Sequence, residues 1–392
     1  MYYFEFPKID ATIYEGSVTS SINTGLDQIL EINKNMNSAG TTIDVSRVLI
    51  QFDYSYISSS VQSGIIPSDA KYYLNLYDAS STELAVEQTL FAYMISGSWN
   101  GGTGTKDRDP TISDGASWKY RDNDTTKTQW VSGSDTQGGT WYTSSLNSGF
   151  NVSASVDLVY ETKDIRMDVT SLVKNHIYSG STFPNYGFIL KRENVPTSQS
   201  IHSIFDPTLA TGSAEHDTSH QGNLKFFSRE TNTIFPPKLE VEWDDSSWNT
   251  GSLSALSATD LDRLKVYFQN LKPEYKEKSK VKFRVVGREL YPTRGFDTTP
   301  AALTVKYLPS GSRTLQQGAY YSVKDAETED VIIPFSTGSI ISCDSTSNYF
   351  NLWMDGFQPE RFYRFEIKVV SGSGAEQTSM IYDDEFTFKV VR

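Results

Sequence analysis

The chain has 392 residues, with 48 acidic against 35 basic side chains, a formal charge of −13 and a single cysteine. Such an excess of acid argues against a nucleic-acid binder, whose affinity comes from Lys and Arg displacing counterions, and against attraction to an anionic membrane surface. Cys343 has no partner for an internal disulfide, and a chain of this length buries real cores without one.

Aromatic residues make up 13% of the chain, including 23 Tyr and 21 Phe. With many Thr, Ser and Val beside them, they favour β-structure, so an all-β protein is expected. The opening "MYYFEFPKIDATIY" has no basic stretch followed by an apolar run, so no signal peptide is expected. No segment approaches the length of a membrane span.

Residues 1 to 245 read as one large β-sandwich, jelly-roll-like in its many short strands. "KIDATIYEG" and "DQILEINKN" alternate apolar and polar residues, and "RVLIQFDYSYI" and "AKYYLNLYDA" read as strands with aromatic faces. A long polar insertion occupies 96 to 155; segments of that length without structure of their own are usually functional or badly ordered. "KDIRMDVTSLV" reads as a strand running into a short helix capped by Thr170 or Ser171. "NYGFILKRE", "LKFFSRE" and "PPKLEVEWD" give three more strands.

Residues 246 to 275 read as a linker and helix. "SSWNTGSLSALS" is rich in Ser and Gly, and "SATDLDRLKVYFQNL" has a helical stripe of Leu261, Leu264, Tyr267, Phe268 and Leu271. Ser257 or Thr259 would cap that helix and Pro273 would end it. Residues 276 to 392 contain seven strand-like runs, the number of an immunoglobulin-like sandwich, without the Cys…Trp…Cys framework of antibody domains. The final "FTFKVVR" is a candidate strand for edge pairing with a neighbour.

Little of the sequence points to chemistry. His216 and His220 lie four apart with His202 upstream, but in loop-like surroundings and without a zinc motif. His176 sits among apolar residues and reads as a half-buried structural side chain. Cys343 reads as a small hydrophobe rather than a nucleophile. Asp107, Asp109, Asp114, Asp122 and Asp124 cluster in the insertion, but no calcium-loop spacing joins them, and Asp is common in turns. No two acids stand out as a glycosidase pair, and the nucleophile-elbow, Walker and dinucleotide motifs are missing. Neither an enzyme nor a cofactor is therefore expected.

Trp99, Trp118, Trp130 and Trp141 are the notable feature of the insertion. Exposed, their faces would stack on sugars or a partner protein; buried, they would anchor the limbs of a long loop whose ordering costs much entropy. Anchoring is the favoured reading for most of the four.

Several segments, in order, resemble the DNRLRE family, a carbohydrate-binding-module-like β-sandwich. They are "DATIYEG…NTGLDQILEI", "SRVLIQFDYSYI", "SDAKYYLNLYDA", "SWNGGTGT…DGASWKYRD…TQW…GG", "IRMDVTSLV", "NYGFILKRE" and "FFSRE…PPKLEVEW". They run from residue 10 to 243. The resemblance implies a structural or adhesive role, with Trp99, Trp118 and Trp130 folding a long loop. The insertion is longer than that family's pattern, so the resemblance places no surface residue within it.

"YYSVKDAETEDVIIPF", "STSNYFNLWMDGFQPERFYRFEIKVV" and "IYDDEFTFKVVR" look like virion structural proteins of large marine tailed bacteriophages, such as cyanophages. That resemblance implies a multi-copy virion component, made in a host cytoplasm and contacting other virion proteins. A glycan-binding or adhesive module using the tryptophan-rich loop at 96 to 142 is the alternative expectation.

Overall fold

The computed structural model describes residues 1–16, 19–36, 43–81, 88–107, 114–124, 126–130, 137–142, 149–158, 164–192, 222–255, 261–291, 296, 305–311, 317–372 and 377–392. The chain is all-β and forms two compact units, one of Glu5–Glu240 and one of Met1–Phe4 with Val241–Arg392. The chain divides between Glu240 and Val241, close to the expected division at 245, whereas residues 261 to 275 lie inside the second unit, as do the first four residues.

In the Glu5–Glu240 unit the larger sheet runs Gly222–Phe227, Ile29–Met36, Ile43–Phe52, Phe188–Arg192, Gln88–Met94, Ser153–Leu158, and Pro7–Tyr14 also pairs with Ile43–Phe52. The pairings are antiparallel. A smaller sheet contains Lys71–Leu76 beside Ile165–Asp168, with Ile165 opposite Leu76 and Met167 opposite Leu74. Val45 through Ile50 are all buried. Such a continuous run means that both faces of this strand are covered. Leu49 packs with Ala11, Ile13, Tyr93 and Ile189 under the insertion, and Val48 and Ile50 face the opposite way, fully buried.

"RVLIQFDYSYI" is not one strand. It ends at Phe52, and a helix Ser55–Gln62 follows. The Asp53 carboxylate accepts the Ser55 backbone N–H at 2.9 Å, turning the chain out of the sheet. The short helix expected after "KDIRMDV" is present as Thr170–Tyr178, without a side-chain cap at its first residue. Asp168 takes the Thr170 N–H at 2.9 Å, and the Thr170 hydroxyl instead accepts the Tyr72 N–H at 2.9 Å.

The second unit is a sandwich of two sheets. One runs Ser254–Ala255, Lys306–Tyr307, Lys280–Glu289, Asn348–Trp353, Ser342–Cys343, with Leu264–Gln269 also on Lys280–Glu289. The other runs Glu274–Lys276, Thr378–Val391, Arg361–Ser371, Gly318–Asp325, Val331–Ile333. Rings from both sheets fill the space between them: Phe283 lies 4.8 Å from Phe365, and Tyr321 stacks on Phe350 at 4.0 Å. Six of the seven expected runs form strands; of "ALTVKYL" only Lys306–Tyr307 is seen as strand, and residues 302 to 304 lie outside the described residues.

The expected helical linker is not. After a single 3-10 turn at Leu261–Arg263, residues Leu264–Gln269 form a strand antiparallel to Lys280–Glu289. The stripe that suggests a helix also contains the two-residue repeat Leu264, Val266, Phe268, and pairing with a neighbouring strand selects that period. Phe268 stacks on Phe365 at 5.0 Å, whereas Tyr267, expected in the helix stripe, turns outward. Ser257, Thr259 and Asp260 lie outside the described residues. The terminal "FTFKVVR" is already paired in part within its own unit. Residues 389 to 391 pair with Glu274–Lys276 on one side, and residues 389 and 390 with Arg361–Ser371 on the other.

Candidate functional site

The insertion is built onto the larger sheet of the Glu5–Glu240 unit by Asn23. This wholly buried amide donates to the Gly101 carbonyl at 2.7 Å and to the Ala116 carbonyl at 2.9 Å. Its oxygen accepts the Gly25 N–H at 3.1 Å and the Gly104 N–H at 2.9 Å. One side chain thus ties together two distant limbs of the insertion. Gly102 and Gly115 are both at positive φ, and a Cβ on either would collide with that amide, so only glycine fits there.

All four candidate tryptophans are at most 9% exposed and share a cluster with Ile13, Leu49 and Ile189. The Trp99 indole N–H donates to the Tyr186 carbonyl and that of Trp130 to the Ser117 carbonyl, each at 2.8 Å. The Arg47 guanidinium lies over the rings of Trp118 and Trp141, at 4.6 and 5.2 Å, and its Nη1 donates to the Gly138 carbonyl at 2.5 Å. The Lys191 ammonium lies 5.0 Å from the centre of the Trp141 ring. The four rings are thus packed against the sheet, and they tie the described parts of the insertion to it.

The other sequence candidates are distributed as follows. His202, His216, His220 and Asp109 lie outside the described residues. Asp114 accepts the Thr103 hydroxyl at 2.6 Å, and Asp122 accepts the Asp124 N–H at 3.2 Å, both as turn-forming contacts. Among the described residues no group of three or more His, Cys, Asp or Glu is placed to hold a metal ion. His176 is buried, its Nδ1 lies 2.9 Å from the Phe183 carbonyl, and burial lowers its pKa to about 4. Cys343 is buried, and burial followed by the charge of Asp344 pushes its thiol up to about 11, which keeps it unreactive.

Sequence reasoning missed a concavity of about 400 Å³ at the rim of the same sheet. Its centre is Glu31, whose cross-strand partner is Lys225. One oxygen of Glu31 accepts the Tyr14 hydroxyl at 2.7 Å, the Lys106 ammonium at 2.6 Å and the Asn33 amide at 3.2 Å. The Lys225 ammonium is 3.4 Å from the other. Burial opposes the Glu31 charge, yet Lys106, Tyr14 and Lys225 together hold its pKa below the ordinary value.

Asp27 behaves oppositely. Both its oxygens accept the Lys106 backbone N–H at 3.1 Å, but burial, and then the carboxylates of Asp107 and Glu31, raise its pKa to about 6. Leu26, 44% exposed, and Ile29 supply apolar surface beside these groups. Carboxylates with opposite shifts are a pattern of acid–base sites. Here, however, Glu31 is saturated by its four partners, an arrangement suited to holding charge rather than moving a proton. In the sequence, Asp27 and Glu31 look like two of many acids, and nothing in it links them to Lys106.

No protein-family model matches the chain, and no curated protein matches it. Among solved structures, the crystal structure of a DUF4785 family protein from Legionella pneumophila is aligned at 9% identity with a TM-score of 0.19, over 100% of this chain and 65% of that one. The chain thus spans less than two thirds of that protein's length, and a likeness this low carries no argument about fold or function.

Proposed function

We propose that this chain is a non-enzymatic structural component of a tailed-phage virion, present in many copies and acting through protein–protein contacts of its β-sandwich units. The observation that supports it best is the burial of Trp99, Trp118, Trp130 and Trp141 beneath the insertion. They pin the described parts of a long polar segment as an outer layer on a sheet already packed on its other face. A surface made stiff in this way loses little conformational entropy when it docks, which is what a repeated assembly contact needs. The phage setting rests on the sequence resemblance of the C-terminal segments.

Mass spectrometry of purified particles, followed by imaging to locate the chain, tests the proposal. The expected result is a stoichiometric, multi-copy component; finding the chain only as a free monomer outside particles would overturn it. Glycan arrays on the isolated chain test the adhesive alternative, and no binding that depends on the four tryptophans is expected.

A further inference from the structure

We propose that the concavity around Asp27 and Glu31 is a socket for a basic side chain, lysine or arginine, presented by a partner protein. The identity of the carrier rests on the protein-contact reading above; the chemistry rests on the pocket itself.

The charges lining the concavity are unequally paired. Lys106 and Lys225 are both directed at Glu31, at 2.6 and 3.4 Å, so one carboxylate already holds two ammonium groups. Asp27 and Asp107 also line it. Asp27 receives one backbone N–H, and among the described residues no cation pairs with the exposed Asp107. The lining therefore totals three carboxylates against two ammoniums, and both ammoniums are paired with Glu31, which leaves Asp27 and Asp107 as the surplus. Their mutual repulsion is visible in the raised pKa of Asp27, to which burial contributes most and Asp107 and Glu31 add. A cation placed there would oppose both by favouring the charged carboxylates.

The shape selects the kind of cation. Leu26, 44% exposed, and Ile29 add apolar surface to the same lining. An aliphatic stem with a charged head covers such surface while its head reaches the carboxylates. A volume of about 400 Å³ accommodates one such side chain together with its backbone. A bare metal ion would leave the apolar surface uncovered.

The test uses the full-length chain and calorimetric titration with N-acetyl-arginine amide and N-acetyl-lysine amide, with N-acetyl-citrulline amide as the neutral control. The expected result is saturable binding of the two cations, weaker by about tenfold or more for citrulline, with affinity falling below pH 6 as Asp27 takes up a proton. Asp107→Asn, at an exposed position that leaves the fold intact, is expected to weaken binding by about tenfold. Lys225→Met, which frees Glu31 of one cation, is expected to tighten it.

Absence of saturable binding by either cation, citrulline binding as tightly as arginine, or an Asp107→Asn variant that binds normally would each overturn the socket. These outcomes are separate from the particle test. A chain present in virions that binds no cation removes only the socket. A chain that binds cations but is missing from particles removes only the virion assignment.

Discussion

Two buried ionisable residues in the Glu5–Glu240 unit act on stability in opposite directions. Asp10 is 3% exposed and takes the Arg229 backbone N–H at 2.7 Å; burial raises its pKa to about 7. A raised carboxyl favours the folded state fully below its unfolded value near 3.8, and that advantage is lost as the pH rises through about 7. His176, lowered to about 4, behaves in the reverse sense. Its contribution is present above 6.5 and is lost as the pH falls through about 4. The shifts correspond to about 4 and about 3 kcal/mol, so the two nearly cancel between pH 4 and 7. Asp10→Asn removes one arm of this balance. Urea midpoints are expected to show it more stable than the parent by up to about 4 kcal/mol at pH 8, and no more stable at pH 4.

Asn23 is the other residue on which much depends, because its four hydrogen bonds are spread over both limbs of the insertion. Asn23→Ala is expected to cost about 3 kcal/mol or more by leaving buried backbone groups unpaired. Asn23→Asp is expected to cost more than Asn23→Ala, since a carboxylate would face the Gly101 and Ala116 carbonyls. Chemical denaturation of both variants checks the order. The sequence shows "NTG" as an ordinary turn; that its Asn meets residues 101 and 116 is a tertiary fact.

Among the elements, the insertion depends on contacts that have little to do with strand pairing. Its hairpin of Tyr120–Asp122 with Thr128–Gln129 is short, and four buried indoles join it to the apolar cluster on the sheet. Trp118→Ala removes a ring that is 5% exposed and packed under Arg47. It is expected to cost about 3 to 5 kcal/mol and to open the insertion to proteolysis before the sheets unfold. Limited digestion with the cut sites mapped checks this. An insertion no more sensitive than the parent would show that the indoles are not its anchors.

Strand positions in both units were legible, because alternation over five or more residues is a local signal that packing rarely reverses. The Leu264–Gln269 strand was not, because six residues satisfy a helical stripe and a strand alternation equally well. Only the available edge of Lys280–Glu289 decides between them. The helix at Ser55–Gln62 was hidden for a related reason: Tyr54, Tyr56 and Ile57 continue the strand-like composition before them, and the turn rests on the Asp53 side chain.

At the scale of the whole molecule, chain order and unit membership part company. Tyr2 and Phe4 are buried in the core of the unit otherwise made by Val241–Arg392, and a Cβ on Gly356 would strike the Phe4 ring. A fragment of residues 241–392 therefore lacks two core aromatics, worth about 2 to 3 kcal/mol each. It is expected to melt at a markedly lower temperature than the same unit in the full chain and to bind a hydrophobic dye. A peptide carrying residues 1–6 is expected to restore part of the loss when added in trans. A fragment as stable as the intact unit would show that these residues are dispensable.

The sequence by itself determined the fold class, most strand positions and the composition of the surface, because alternation, aromatic content and net charge need only neighbouring residues or a sum over all of them. Tertiary structure decided where the four indoles point, which of many acids gather into a charged concavity, and whether residues 264 to 269 coil or extend. Each of these depends on groups far apart in the chain: Glu31 meets Lys106 across 75 positions, and Asp10 meets Arg229 across 219. Burial and electrostatic potential at a point are sums over everything packed around it, and no local pattern contains that sum.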